Sequence, residues 1–582
     1  MPTVTLSRVP WWAHVVLLTL VLVGGFFRFH RLDQQGVLLA DSANYLGEAK
    51  LWLGAGRLVS SVYFGSTERT PREILQDTGM HGRISHAGKP ANYFLRALSM
   101  AIFGETNGKS NYLMAAIGTL SIIVLFGFTR RLFGDWQVSL IAAGLLALSP
   151  THVEYSRGLK AEVDSMFFLM CALWCLHEGV VRQRGDDRTA ARWRWAAGLV
   201  FGWGYAGSTR LTAMLPGFAI LAVLEFWLVN RNWRTIFGSL TRFGLGFTVM
   251  LVFWELPYLW AMLAARQHGV ELGDFPTYWG CIQERMKFSI SDCRPESFIN
   301  YFYLLARTDG ILPALSLLGI YGVWRETRRW EAAIVVLVVV AGLGLYWYTP
   351  WTAMVLFSFS VPMLVVLAAL GCRVILRWQL VTARPVGRGI VLGLMLVLIV
   401  PWDMVADWQD TQISTHLADA TAWLKKNRPR DVVSAVSFEQ TLCEYDNAHV
   451  VQLPLPLTME YLQQAYRFGV RVLLIDPQKF NAVLGCSSHV MGPDFPIIRS
   501  LLPSAQAFST PMVVNIESTT PPLATFTNEY NKAFFWIFAR EHNTYLERTR
   551  LFMDCVDPQV DAVIRLYDLG QVLSNLQTTA SR

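Results

Sequence analysis

About eleven stretches of mostly apolar residues recur along the first 405 of this chain's 582 residues. They lie near 11–29, 110–128, 137–150, 162–180, 195–207, 211–229, 243–263, 300–323, 331–349, 352–371 and 389–405. A helix needs about 20 such residues to cross the hydrocarbon core of a bilayer. Most of the stretches meet that length; the third and fifth must borrow flanking residues. Charged residues are 16% of the chain, where soluble domains carry about a quarter. The 22 tryptophans fit a residue that concentrates at membrane interfaces. A disordered chain, a coiled coil and an ordinary cytosolic enzyme are excluded. Arg28, His30 and Arg31 follow the first stretch in place of a small-residue cleavage site, so it reads as a span and not as a signal peptide. The expected fold is a mainly α, polytopic membrane protein.

Lysine and arginine in the short connections set the expected orientation. Alternate connections hold seventeen of them, including Arg130 and Arg131, and the intervening ones hold three: Arg157, Lys160 and Arg210. The first set is therefore expected in the cytoplasm. The net charge of +7 is then a topology signal and not a nucleic-acid patch. Three segments fall on the opposite side: a first loop over about 30–109, a second over about 264–300, and everything after about 406. The expected domains are a transmembrane unit over 1–406 and an extracytoplasmic unit over 407–582.

In this tail an amphipathic stretch, Thr415–Lys426, precedes short β-branched runs at Val432–Val436, Val450–Leu453 and Val470–Ile475. That alternation reads as a small soluble α/β domain. Of the eight cysteines, Cys281 and Cys293 share the second loop and could pair there. Cys443, Cys486 and Cys555 are an odd set in the tail. Without a CxxC, a structural zinc site is not expected.

The chemistry-bearing residues gather at the extracytoplasmic ends of the spans. Asp41 opens the first loop, and Tyr45, Leu46, Ala49 and Trp52 follow at helical spacing. Asp41 either caps that helix or faces a substrate, and the two roles are compatible. Lys89-Pro90 leads an aromatic segment containing Tyr93; Lys89 is either an interfacial snorkelling lysine or a phosphate ligand. Asp164 lies just inside an apolar run, where a carboxylate is costly and functional by default. Arg210 sits alone in a tight turn, either solvated or matched to a phosphate.

The order of these features resembles the GT-C superfamily of membrane glycosyltransferases. Asp41 with Tyr45, Lys89-Pro90, Arg131-Leu132-Phe133-Gly134, Ser149-Pro150 and Asp164 carry the likeness. The branch it is most similar to holds the protein O-mannosyltransferases and lipid A aminoarabinose transferases. The resemblance covers about 36–215, fades through 216–405 and gives little for the tail. It implies a sugar donor linked to a polyprenyl phosphate. It also implies Asp41 and Asp164 as catalytic carboxylates, and Lys89 and Arg210 as ligands of the donor phosphate. Lys160 and Arg157 are further phosphate candidates, and Tyr45 and Tyr93 candidates for substrate contact. The family's usual Asp-Glu pair reads Asp41-Ser42 here, its double proline reads Pro90-Ala91, and the late Arg-Tyr pair is replaced by Phe357-Ser358-Phe359-Ser360-Val361-Pro362.

A lipid-phosphate donor needs an apolar groove, cations for its phosphate and a carboxylate for the incoming hydroxyl. The resulting expectation is an inverting single displacement with Asp41 as general base. Some relatives bind a divalent metal, for which His86, His152 and Glu154 are candidate ligands. The acceptor class stays open between a protein hydroxyl, a glycolipid and a polysaccharide. A ligase moving a glycan from a polyprenyl diphosphate is the nearest alternative. A transporter would call for paired half-helices or an inverted repeat, and a non-catalytic anchor leaves the gathered charges without a purpose. Thr578–Arg582 carries no retention signal, so a prokaryotic plasma membrane is the expected location.

Overall fold

The computed structural model describes residues 8–35, 45–50, 52–53, 88–158, 162–183, 187–229, 231–267, 278–287, 305–306, 309–325, 329–345, 357–377, 403–405, 407–408, 416–429, 431–436, 450–452, 457–475, 511–527 and 563–580. The first span is α1, Trp11–Phe29. In the first loop, α2 (Pro90–Phe103) and the one-turn α3 (Asn107–Ser110) lead into α4, Tyr112–Phe133. Gly134 ends α4 in the left-handed region, with its N–H on the Arg130 carbonyl at 2.8 Å. Asp135 then caps the next helix, α5 (Trp136–Ala147), accepting from the N–H groups of Gln137 and Val138. The Arg-Leu-Phe-Gly motif is thus a helix stop followed at once by a helix start.

The third apolar stretch is not a straight span. Pro150 has no N–H with which to continue α5, and Ser149 caps a new short helix, α6 (Pro150–Ser156), bent by 60° from α5. Asp309 pins the bend by accepting from the Ser149 and Thr151 hydroxyls, both at 2.6 Å. The helices that follow are α7 (Val163–Arg182), α8 (Asp187–Gly207), α9 (Met214–Leu228) and α10 (Trp233–Gln267). Beyond them lie α11 (Tyr278–Lys287), α12 (Leu312–Arg325), α13 (Arg329–Leu345) and α14 (Val361–Arg377).

Among the described residues six helices are long and apolar enough to cross a membrane, or seven if α5 and α6 count as one broken span. The other four stretches are not among these. Helix α8 is 21 residues long, but its first two turns carry Asp187, Arg188, Arg192 and Arg194. Helices α12 and α13 have 14 and 17 described residues, and α12 at one end and α13 at both adjoin residues outside the described set. The eleventh stretch lies outside the described residues except for its end at 403–405.

Helices in lipid gain little from apolar burial against each other and rely on close packing over small residues. Gly198 of α8 lies so near the Phe243 carbonyl of α10 that a Cβ there would overlap it. Gly319 of α12 and Gly371 of α14 stand in the same relation to the Leu367 and Leu315 carbonyls. The opposite face of α10 exposes Leu245, Val249, Val252, Leu256 and Leu263, as a lipid-facing surface requires. The chain is a multi-pass membrane protein.

The tail contains a five-stranded mixed sheet in the order β2-β1-β3-β5-β4. Its strands are β1 (Val432–Val436), β2 (Val450–Gln452), β3 (Val470–Ile475), β4 (Ala524–Thr527) and β5 (Val563–Asp568). The first three pair in parallel, and β5 runs antiparallel to both β3 and β4. Strand β3 alternates its side chains between two cores. Leu473 and Ile475 face α16 (Met459–Arg467), α17 (Pro511–Thr519) and α18 (Leu569–Ala580), while Val472 and Leu474 face α15 (His416–Asn427). Of the cysteines, Cys171, Cys175 and Cys372 are free thiols; Cys293, Cys443, Cys486 and Cys555 lie outside the described residues.

Candidate active site

Four elements converge at one end of the bundle. Pro90 starts α2 at its first position, where a missing N–H is harmless, and this leaves Lys89 as the preceding cap residue. Glu162 is the residue before α7, and Asp164 lies in that helix's first turn, the end at which the helix dipole favours carboxylates. Arg210 sits in a 3-10 turn, Thr209–Ala213, after α8, capped by the Ser208 hydroxyl. Tyr45 opens a helical segment over 45–50.

Lys89 and Arg210 meet on one carboxylate. Lys89 Nζ donates to Glu162 Oε1 at 2.7 Å, and Arg210 Nη1 donates to the same oxygen. The side chains of Lys89 and Glu162 are each only 1% exposed. Burial by itself would raise the Glu162 carboxyl, but the Arg210 and Lys89 cations outweigh it and hold it below the usual carboxylate range. Lys89 Nζ also donates to the Tyr45 hydroxyl at 3.1 Å and stands 4.9 Å from the Tyr45 ring centroid. On the same ring Arg96 lies at 5.4 Å, so two cations contact one aromatic ring. Tyr93 packs beside Tyr45 with ring centroids 6.3 Å apart.

Asp164 is fully buried. Its Oδ1 accepts from Asn92 Nδ2 at 3.2 Å, and its Oδ2 has no hydrogen-bond partner among the described residues. Arg96 Nε donates to Asn92 Oδ1 at 2.9 Å and Arg96 Nη2 to the Gly158 carbonyl at 3.2 Å. These bonds fix which way the Asn92 amide points. Burial lowers Arg96 to about 10, with Tyr45 and Asp164 acting against it, so it stays cationic at neutral pH. Gly207 packs against Asp164: a Cβ there would lie 2.5 Å from Asp164 Oδ2.

Lys89, Arg210, Tyr45, Tyr93 and Asp164 therefore share one site. Arg157 is engaged elsewhere. Its Nη1 donates to the carbonyls of Phe27 at 2.9 Å, Arg28 at 3.4 Å and His30 at 2.9 Å, closing off the end of α1. Asp41, Lys160 and His86 lie outside the described residues. His152 is buried with Nδ1 2.7 Å from Arg28 Nη2, which takes one ring nitrogen away from any metal. Glu154 is buried on α6. Among the described residues no three His, Cys, Asp or Glu side chains gather as a metal would require. His152 and Glu154, the two described candidates, therefore do not form a metal-ligand set among the described residues.

Three site residues carried no assignment from sequence: Glu162, Asn92 and Arg96. Asn92 and Arg96 stand four apart on one helix face, and Glu162 stands two residues before Asp164. These spacings were the available signals.

The family model for dolichyl-phosphate-mannose-protein mannosyltransferase matches residues 85–260, the segment that supplies every described site residue except Tyr45. An undecaprenyl phosphate-alpha-4-amino-4-deoxy-L-arabinose arabinosyl transferase 2 of Pseudomonas fluorescens is 26% identical over 337 residues, covering 56% of this chain and 50% of its own. One of the same description from Sodalis glossinidius is 26% identical over 285 residues, covering 47% and 45%. The chain thus spans about half the length of these curated relatives. Among solved structures, the archaeal oligosaccharyltransferase AglB from Archaeoglobus fulgidus, in complex with an inhibitory peptide and a dolichol-phosphate, superposes with a TM-score of 0.58 at 12% identity, over 96% of this chain and 88% of its own. ArnT from Cupriavidus metallidurans in the apo state gives 0.56 at 15% identity, over 81% and 94%. At such identities the likeness is one of fold. Fold and matched segment together show what the chain is similar to: membrane glycosyltransferases of the GT-C fold, with residues 85–260 matching the mannosyltransferase family model.

Proposed function

We propose that this protein moves a sugar from a polyprenyl-phosphate donor to an acceptor hydroxyl, with inversion, on the extracytoplasmic face of a prokaryotic plasma membrane. One observation carries the reading: Lys89 and Arg210, from separate elements, are drawn to a single buried point beside Asp164. A pair of cations next to a buried carboxylate is what a phosphate leaving group and a hydroxyl nucleophile together require. The relatives named as undecaprenyl-phosphate sugar transferases, and an ArnT structure bound to undecaprenyl phosphate with a TM-score of 0.53, support the donor class.

In this mechanism Asp41 takes the proton of the acceptor hydroxyl. The acceptor oxygen bonds to the anomeric carbon, and the bond from that carbon to the phosphate oxygen breaks. The phosphate leaves as a polyprenyl monoester with Lys89 and Arg210 stabilising its charge, assisted by Lys160. Asp164, held by Asn92, orients the sugar or the incoming hydroxyl, and Tyr45 and Tyr93 wall the site. The tail, on the same side in this topology, selects the acceptor. The likeness to an oligosaccharyltransferase over 96% of the chain makes a glycan ligase the second reading, and the donor distinguishes the two.

General-base catalysis contributes about 10²–10⁴-fold, so Asp41→Asn loses at least that turnover while remaining folded. The product's anomeric configuration, compared with the donor's, reports inversion. Near wild-type turnover in Asp41→Asn rejects the base, and retained configuration rejects the single displacement.

A further inference from the structure

The two cations at the site are shared with a buried carboxylate in a protein whose proposed substrate is itself an anion. Glu162 Oε1 takes both Lys89 and Arg210, and the Ser208 hydroxyl adds a further bond to the carboxylate. We infer that Glu162 sets the net charge of the phosphate site, so that the spent carrier is bound no more tightly than the donor and is released. The inference rests on the proposed donor class and deepens it.

The argument follows the charge through the reaction. A polyprenyl-phosphate sugar is a phosphodiester with one negative charge. The product is a phosphomonoester, which carries about −1.5 to −2 at pH 7. Two cations without Glu162 would present two positive charges, matched to the product, and would retain it. With Glu162 the trio Lys89, Arg210 and Glu162 presents one, matched to the donor. Glu162→Gln changes this charge by one whatever else surrounds the trio; of the described neighbours, Arg96 and Asp164 are opposite in sign and joined through Asn92. As the leaving group gains its second charge, it does so beside a fixed carboxylate. Glu162 acts through the two cations and is a positioning residue, not a catalytic one.

Equilibrium binding separates this role from a structural one. The probes are polyprenyl monophosphate and its methyl ester, which has the same chain with a single charge at all working pH values. Glu162→Gln is expected to tighten the monophosphate by at least about ten-fold, the scale of one unit charge a few ångströms away, and the methyl ester by clearly less. Glu162→Asp, which keeps the charge, is expected to behave as wild type. In turnover the Gln variant is expected to show a first turnover faster than its steady state, a burst that reports product release. Equal tightening of both lipids, or none, overturns the inference. If the Gln variant does not fold, the wild type decides alone. Its monophosphate affinity, relative to the methyl ester, stays level or falls between pH 5 and pH 8 as the second charge forms near pH 6; a rise overturns the inference. Failure of either lipid to bind wild type would instead reject the donor class.

Discussion

Asn92 Nδ2 lies 3.2 Å from Asp164 Oδ1, and the other oxygen of that fully buried carboxylate has no partner among the described residues. Buried polar atoms are normally paired, so an oxygen held ready in this position is suited to a substrate hydroxyl. Asp164→Asn removes that acceptor while keeping the volume, and is expected to lower turnover at least about 10²-fold. Asn92→Leu strands Oδ1 and is expected to cost about 1–3 kcal/mol of stability, with turnover falling as well. Steady-state transfer and thermal unfolding in detergent check both; an Asp164→Asn protein with normal turnover removes Asp164 from the chemistry.

Gly207 is required by space. An alanine Cβ there would lie 2.5 Å from Asp164 Oδ2, so Gly207→Ala is expected to displace the carboxylate, reduce turnover about ten-fold or more, and cost about 1–3 kcal/mol as overpacking does. Gly244 on α10 is the control, because a Cβ there meets nothing within 4 Å. Gly244→Ala is expected to leave turnover intact and to raise stability by up to about 1 kcal/mol. Equal effects at the two positions would show that the loss at Gly207 is a general one.

Arg157 and Lys89 are both cations near the membrane surface in sequence, but the structure gives them different work. Arg157→Met removes hydrogen bonds to three carbonyls at the end of α1. It is expected to cost about 1.5–3 kcal/mol, the value of bonds to a charged group, and to leave donor KM unchanged. Lys89→Met is expected to raise donor KM or lower kcat. Donor titrations on the two purified variants distinguish them, and a large KM change in Arg157→Met would return that residue to the phosphate site.

Glu48 is buried on the helical segment after Asp41, and burial pushes its carboxyl up to about 8. The folded protein therefore keeps a proton that the unfolded chain releases near 4.5. Stability linked to this group is complete below 4.5 and is lost as pH rises toward 8. Glu48→Gln mimics the protonated form and lacks that dependence. The two proteins should unfold alike near pH 4.5, with the variant growing more stable by comparison up to pH 8. A constant difference across this range would contradict the buried carboxyl.

Most spans were legible because length and apolarity decide them locally. The bend at Pro150 was not, since a run of apolar letters does not show where a helix breaks. Lys89, Arg210 and Asp164 could be selected because charge at a span end is conspicuous. Glu162 was hidden beside them: its importance depends on a lysine 73 residues away and an arginine 48 away, and sequence does not show which cations share a carboxylate. Arg157 looked equivalent to Arg210 for the same reason. Arg96 and Asn92 were hidden in the same way, their partners Gly158 and Asp164 lying 62 and 72 residues away.

The most direct measurement is transfer of radiolabelled sugar from a polyprenyl monophosphate by the purified full chain, with lipid, polysaccharide and protein fractions of the membrane as acceptors. The expected result is label appearing in one fraction with equimolar release of polyprenyl phosphate, and strong loss of both in Lys89→Met. Folded wild-type protein that leaves every monophosphate donor intact, yet transfers a glycan from a polyprenyl diphosphate, would contradict the proposed donor and make the protein a ligase.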